Sequence, residues 1–135
     1  MSLSTLLFSF TGRLNRAPYW LAGIAAVVSV ILIFLAAAAI GRSIPAIVLG
    51  LLVIPALIWM TLALATKRLH DRDKSGWWVL LFYFAPGIMN AIERSIGSAG
   101  FIVGLIGIGI NIWGIVELGF LRGTSGQNRY GPDPL

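Results

Sequence analysis

The sequence predicts an all-α membrane protein, a four-transmembrane-helix bundle with a short N-terminal interfacial helix and with N and C termini cytoplasmic. Three observations predict it. Hydrophobic residues make up 58% of the chain and charged residues only 11%, far below the roughly one quarter typical of a soluble domain, so lipid is the solvent that suits this surface. Four apolar runs alternate with short charged or glycine-rich stretches. The basic residues fall mostly on one of the two sides that this alternation creates.

The first apolar run, 19–40, carries no charge and reaches about 33 Å as a helix, enough for a hydrocarbon core of roughly 30 Å. Pro18 stands just before it, where a missing N–H costs nothing. Gly41-Arg42-Ser43 ends the run. The second, 44–66, is also uncharged, holds Pro55 near its middle and stops at the charged stretch Lys67–Lys74. Ser75-Gly76 then supplies a turn.

The third run, 77–92, reaches only about 24 Å and contains Pro86-Gly87, so length alone leaves it between a short span and a re-entrant segment. Charge decides. With four spans, one side holds Arg13, Arg16, Lys67, Arg68, Arg72, Lys74, Arg122 and Arg129, and the other only Arg42 and Arg94. The positive-inside rule makes the first side cytoplasmic.

The fourth run, 99–121, contains Glu117 near its cytoplasmic end. Gly100, Gly104, Gly107, Asn111 and Gly114 advance by four, three, four and three, forming one stripe along the helix. Small residues there let a second backbone approach, and Asn111 can hydrogen-bond across the contact. The partner helix can belong to this chain or to another copy. Before the first span, Leu3, Leu6, Leu7 and Phe10 repeat at near-helical spacing, which predicts an interfacial helix over 3–10. The segment 122–135 reads as an irregular polar tail. The whole chain, 1–135, reads as a single membrane domain. Met1–Ser9 lacks a basic n-region, so no cleaved signal peptide is expected.

The formal net charge is +5, but the cations lie in short clusters between apolar runs. They do not gather on one polar face, which argues against nucleic acid as a partner. The sequence has no cysteine, which excludes disulfides, thiol catalysis and Cys-ligated metals. One histidine with a few carboxylates makes a poor zinc set, so neither a metal nor another cofactor is expected.

Three stretches stand out: Phe10-Thr11-Gly12-Arg13-Leu14-Asn15-Arg16 with Tyr19-Trp20 after it, Arg68-Leu69-His70-Asp71-Arg72-Asp73-Lys74-Ser75-Gly76-Trp77-Trp78, and Gly126-Gln127-Asn128-Arg129-Tyr130-Gly131-Pro132-Asp133-Pro134. Together they resemble the YhaH/YhaI-like family of small bacterial inner-membrane proteins, a domain of unknown function, over essentially the whole chain. The resemblance implies a multi-pass protein of the bacterial inner membrane and brings no substrate or reaction. In that family the second stretch usually reads Arg-x-His-Asp-x-x-x-Ser-Gly-Trp, often with a glycine between Asp and Ser. Asp73 stands where that glycine often is, a departure that bears on the turn.

All three stretches fall on the predicted cytoplasmic side. Arg13, Arg16, Lys67, Arg68, His70, Asp71, Arg72 and Arg129 are therefore the candidate site for an anionic headgroup or phosphate, with membrane lipids as the expected partners. The plainer reading is that these cations only set topology. Asp71 and Asp73 speak for the pocket, because topology needs no carboxylates. His70 and Asp71 make an acid–base pair only if the helix ends before them, since neighbours on a helix do not face each other. Glu117, costly inside a membrane, suits an ion pair with Arg122 or a motif arginine better than a proton relay. Trp77, Trp78, Tyr19 and Trp20 fit an aromatic belt.

The leading functional expectation is a non-enzymatic accessory, scaffold or lipid-binding module, acting as a homo-oligomer or in a larger membrane complex. An enzyme acting on a lipid phosphate at His70 and Asp71 is an alternative. A small oligomeric transporter is another, weakened by how few polar groups the spans carry, chiefly Thr61, Asn90, Asn111 and Glu117.

Overall fold

The computed structural model describes residues 2–40 and 44–134. The expected turn at Gly41-Arg42-Ser43, with the far-side cation Arg42, lies outside the described residues. Helices α1 (Leu3–Phe8), α2 (Arg16–Ile40), α3 (Ile44–Asp71) and α4 (Trp78–Ile96) are followed by a 3₁₀ turn, Gly97–Gly100, and by α5 (Phe101–Ile115). The last helix continues as a π-helical segment, Val116–Phe120. No strand occurs among the described residues beyond one isolated bridge between Asn128 and Gly131.

Three helical segments are long and apolar enough to cross a membrane: Arg16–Ala39, Gly50–Asp71 and Phe101–Phe120. The first of them buries none of its most apolar window inside the protein, which suits a helix that spends its hydrophobic surface on lipid. The buried apolar residues Leu14, Ala63, Leu64, Ala65, Leu69, Val79, Phe82 and Leu118 gather at one end of the bundle, the end that carries the three motifs.

Several boundaries differ from the sequence reading, each for a physical reason. The second helix does not stop at Thr66 but runs to Asp71. Lys, Arg and Leu are good helix formers, and no breaker precedes the turn. The helix also continues through Pro55. It ends in a Schellman turn, in which the Lys74 N–H donates to Leu69 O (2.9 Å) and the Asp73 N–H to His70 O (3.0 Å). Asp73 has φ 57°, in the left-handed region that glycine prefers and aspartate tolerates. That accounts for an aspartate where the family often has glycine.

The third helix continues past residue 92 to Ile96, through Glu93 and Arg94. It stops where Gly97 takes φ 62° and ψ −136°, a combination open essentially only to glycine. Helix α5 begins at Phe101, two residues after the expected start. The N-terminal helix ends at Phe8, with the Ser2 hydroxyl accepting from the Thr5 N–H (3.2 Å) as its N-cap.

The glycine stripe packs on α4 of the same chain. A Cβ added at Gly114 would stand 3.1 Å from the Phe82 ring, and one at Gly107 would stand 3.0 Å from the Met89 Cβ. At Gly104 it would run into the Glu93 carboxylate, and at Gly100 into the Glu93 backbone. Asn111 behaves differently from the reading. It is exposed, and its amide turns back to Gly107 O of its own helix at 3.4 Å. The facing α4 ridge of Phe82, Pro86 and Met89 presents apolar side chains and leaves it no acceptor.

Candidate functional site

The last turn of α3 sorts its side chains by helical phase. Arg68 and Asp71 share one face and Lys67 and His70 another, each pair spaced i, i+3. The first pair turns toward the end of the last helix and the C-terminal tail. The second turns toward the N-terminal segment.

Asp71 is the centre of the first group. Arg13 donates to its Oδ1 from Nε (3.1 Å) and Nη2 (3.0 Å), and Arg68 donates to Oδ2 from Nη1 (2.6 Å). The three side chains are at most 5% exposed. Buried charges persist only when paired and hydrogen-bonded, and the remaining guanidinium hydrogens are also placed. Arg13 donates to Thr124 O (2.5 Å), Gly126 O (2.5 Å) and Gly131 O (3.4 Å) of the tail. Arg68 donates to Leu118 O (2.7 Å) and to Leu121 O. Thr124 closes the circuit, donating to Asp71 O from its N–H (2.8 Å) and its hydroxyl (3.1 Å).

Glu117, 2% exposed, centres a second group. Arg72 Nε lies 2.5 Å and Lys74 Nζ 2.9 Å from its Oε1, while Arg72 Nη1 donates to Arg122 O at 2.7 Å. Lys74 also sits 5.3 Å from the Trp78 ring centre and 5.8 Å from that of Trp113, within cation–π range. The Arg122 side chain takes no part in the Glu117 group.

The end of the last helix is the common target of these donors. Besides the bonds from Arg68 and Arg72, Arg16 donates to Phe120 O (3.1 Å) and the Trp20 indole to Gly119 O (3.0 Å). A helix C-terminus presents orphan carbonyls and the negative end of the macrodipole, so cations there are favourable. Lys67 does the same for α1. Fully buried, it donates to Thr5 O (2.8 Å) and Leu6 O.

His70 and Asp71 do not form an acid–base pair, because the helix includes both. The His70 Nδ1 lies 3.2 Å from Gly12 O, and its ring stacks on Tyr130 at 3.8 Å between centres and 3° between planes. Asn128 clamps the same turn, donating to His70 O (2.9 Å) and to the Thr124 hydroxyl (2.8 Å). Arg129 reaches Asp73 Oδ1 at 3.0 Å and Asp73 O, and that bond holds its proton more firmly than an ordinary arginine's. The tail is irregular, but these contacts dock it.

Sequence reasoning gave no role to Gly123 or Thr124, quoted Asn128 only as part of a motif, and read Trp20 as part of an aromatic belt. A Cβ at Gly123 would run into the Asp71 carboxylate, and one at Gly119 would stand 2.7 Å from the Trp20 ring. The signal for the tail was present in its Gly-Gln-Asn-Arg-Tyr-Gly stretch, but its partners are backbone carbonyls, which no residue type announces. Among the described residues no group of three His, Asp or Glu could hold a metal.

An all-helical protein with three helical segments long and apolar enough to cross a bilayer, and one end closed by buried ion pairs, is an integral membrane protein. The chain belongs to the family described as "Protein of unknown function (DUF805)", which matches residues 7–132. It is 35% identical to inner membrane protein YhaI of Escherichia coli (strain K12) over 131 residues, 93% of this chain and 85% of that protein. To inner membrane protein YhaH of the same strain it is 31% identical over 131 residues, 93% and 86% of the two chains. Its identity to uncharacterized protein YiiR, also of that strain, is 31% over 146 residues, 98% and 90%. No solved structure matches. The protein is a multi-pass protein of the bacterial inner membrane.

Proposed function

We propose that this protein is a non-enzymatic module of the inner membrane that crosses the bilayer four times with both termini in the cytoplasm. In this reading its cytoplasmic end is a locked platform that holds anionic lipid headgroups at the rim. The observation that carries it is how the cations divide. Arg13, Lys67, Arg68, Arg72 and Lys74 are spent on Asp71, Glu117 and helix-end carbonyls. Arg16, which gives one hydrogen bond to Phe120 O, and Arg122 stand outside the ion pairs of Asp71, Glu117 and Asp73, and both line an open cavity of about 320 Å³ with Asn15, Ser125 and Asp133. Asp71 lies at its floor with both oxygens already taken by arginines. A phosphate between the two guanidinium groups finds charge-assisted donors. An enzyme of lipid phosphates is less well supported, since His70 and Asp71 serve different partners.

The four crossings are supported by α4 itself. Its 19 residues reach about 28 Å, and it runs antiparallel along α5 from Phe82 beside Gly114 to Glu93 beside Gly100. A helix packed along a spanning partner shares its depth. The chain lacks cysteine, so single cysteines at Ser98 and Ser125 are clean reporters. They label from opposite faces of the membrane under this reading, and labelling from one face removes the fourth crossing.

The headgroup site is tested by native mass spectrometry of the 14.5 kDa chain released gently from its own membrane. Anionic phospholipid stays bound to the parent protein and is largely lost from an Arg16→Gln, Arg122→Gln variant, by roughly tenfold or more if each charged contact contributes about 1 kcal/mol. Unchanged lipid retention in that variant overturns the rim site. A stably retained second copy or other subunit with no bound lipid returns the chain to a scaffold role.

A further inference from the structure

A second opening at the motif end is chemically unlike the arginine rim. It is a groove of about 500 Å³ between the end of α3 and the start of α4. Its polar end is formed by Thr66, His70, Ser75 and Tyr130, and no charged side chain lines it. Leu62, Val79 and Leu80 continue the wall away from that end. Leu62 lies two helical turns before His70, so the groove changes from polar to apolar over about 12 Å along the helix axis. That gradient runs parallel to the spans, as an amphiphile does.

Two polar atoms in the groove lack a partner among the described residues. A carbonyl only accepts, so Nδ1 of His70 carries the hydrogen that Gly12 O receives. This leaves Nε2 of the neutral ring as an acceptor with nothing bonded to it. The stack on Tyr130 fixes the ring plane. Thr66 is 8% exposed, and its hydroxyl has no bond, although buried hydroxyls normally find one. Both atoms lie near Gly76: a Cβ there would stand 2.6 Å from the Thr66 methyl and 3.5 Å from both His70 Nε2 and Thr66 Oγ1. The missing side chain makes room for the Thr66 side chain beside the His70 ring.

An acceptor nitrogen and a hydroxyl that can donate or accept, side by side in an uncharged groove, narrow the ligand. A phosphate or carboxylate offers acceptors only and leaves Nε2 bare. An ammonium could donate to both atoms, but no carboxylate lines the groove to pair with its charge. An alcohol offers both a donor and an acceptor, donating its O–H to His70 Nε2 and accepting from the Thr66 hydroxyl. A single water would satisfy the two atoms but fills only about 30 Å³. It leaves the apolar wall without an occupant.

We propose that this groove binds an uncharged, hydroxyl-headed lipid, of which diacylglycerol is the simplest example. The site is separate from the arginine rim, and either can fail without the other.

The chain has one histidine, so imidazole ¹⁵N NMR of the protein in phosphatidylcholine nanodiscs reports this site alone. Titration with dioleoylglycerol shifts the Nε2 signal saturably while Nδ1 stays protonated. 1,2-Dioleoyl-3-acetylglycerol, with the same chains and the hydroxyl capped, produces no such shift. Thr66→Val keeps the shape, removes the donor and weakens the response about tenfold, as loss of one hydrogen bond to a ligand does. The unchanged Nδ1 signal certifies that this variant is folded. Absence of a saturable shift, or an equal response to the capped lipid, overturns the proposal. The Arg16→Gln, Arg122→Gln variant gives the same histidine titration as the parent.

Discussion

Asp71→Asn is expected to strip most of the stability from the motif end, costing about 3–5 kcal/mol, the range for removing one partner from a buried ion pair. The substitution preserves volume but not chemistry. One carboxylate oxygen becomes an NH₂ group, a donor aimed at a guanidinium that is itself all donors. Arg13 and Arg68, each at most 1% exposed at the side chain, then share a single acceptor. Stability of a domain this size is about 5–15 kcal/mol, so one substitution removes a large fraction of it. Denaturant titration in detergent measures the loss. A change below about 1 kcal/mol would mean that the two arginines are solvated in the membrane-bound protein.

Gly123→Ala is the second large effect, because its new methyl group would collide with the Asp71 carboxylate. A flexible side chain could step aside cheaply. This one is held on both oxygens by arginines, so relief requires moving the tail or breaking an ion pair. Overpacking of this kind costs typically about 1–3 kcal/mol, and here the upper part of that range is expected. Gly109→Ala is the matched control, since nothing lies within 4 Å of a Cβ there. Equal melting behaviour of the two variants would show that Gly123 does not pack on a fixed carboxylate.

These effects concern a region that the sequence discloses only in part. The apolar runs are visible because lipid demands unbroken hydrophobic stretches, and the three motif segments do meet in space. Their mutual bonds are less legible. Lys67 and Arg68 stand where cations normally leave a membrane helix, so they read as solvated, whereas both are fully buried and bonded to carbonyls of distant helix ends. A residue string names donors but does not reveal which backbone carbonyls are orphaned at a helix terminus, nor that the last helix widens into a π turn beside Leu118 and Leu121. The glycine stripe was visible at its spacing, but its partner was not, because Phe82, Pro86 and Met89 look like any lipid-facing row. Glu93 was passed over for a similar reason. It reads as an exit charge but packs beside Gly104.

The motif arginines thus act first as fasteners. Arg13 ties the N-terminal segment to α3 and the tail, and Arg68 and Arg72 tie α3 and its turn to the end of the last helix. Fully paired buried networks rigidify what they join, and a rigid end holds rim residues such as Arg16 and Arg122 at a constant spacing.

Hydrogen exchange of the tail tests that account most directly, because it needs no substitution. The Thr124 amide is bonded to Asp71 O, and the amides of Asn128 and Gly131 to each other's carbonyls. In the intact protein in nanodiscs these three exchange at least a hundredfold more slowly than free chain, equivalent to opening that costs about 3 kcal/mol. Exchange at the free-chain rate across 124–131 would contradict the account: the tail would be undocked, and Arg13 would be free to meet a ligand.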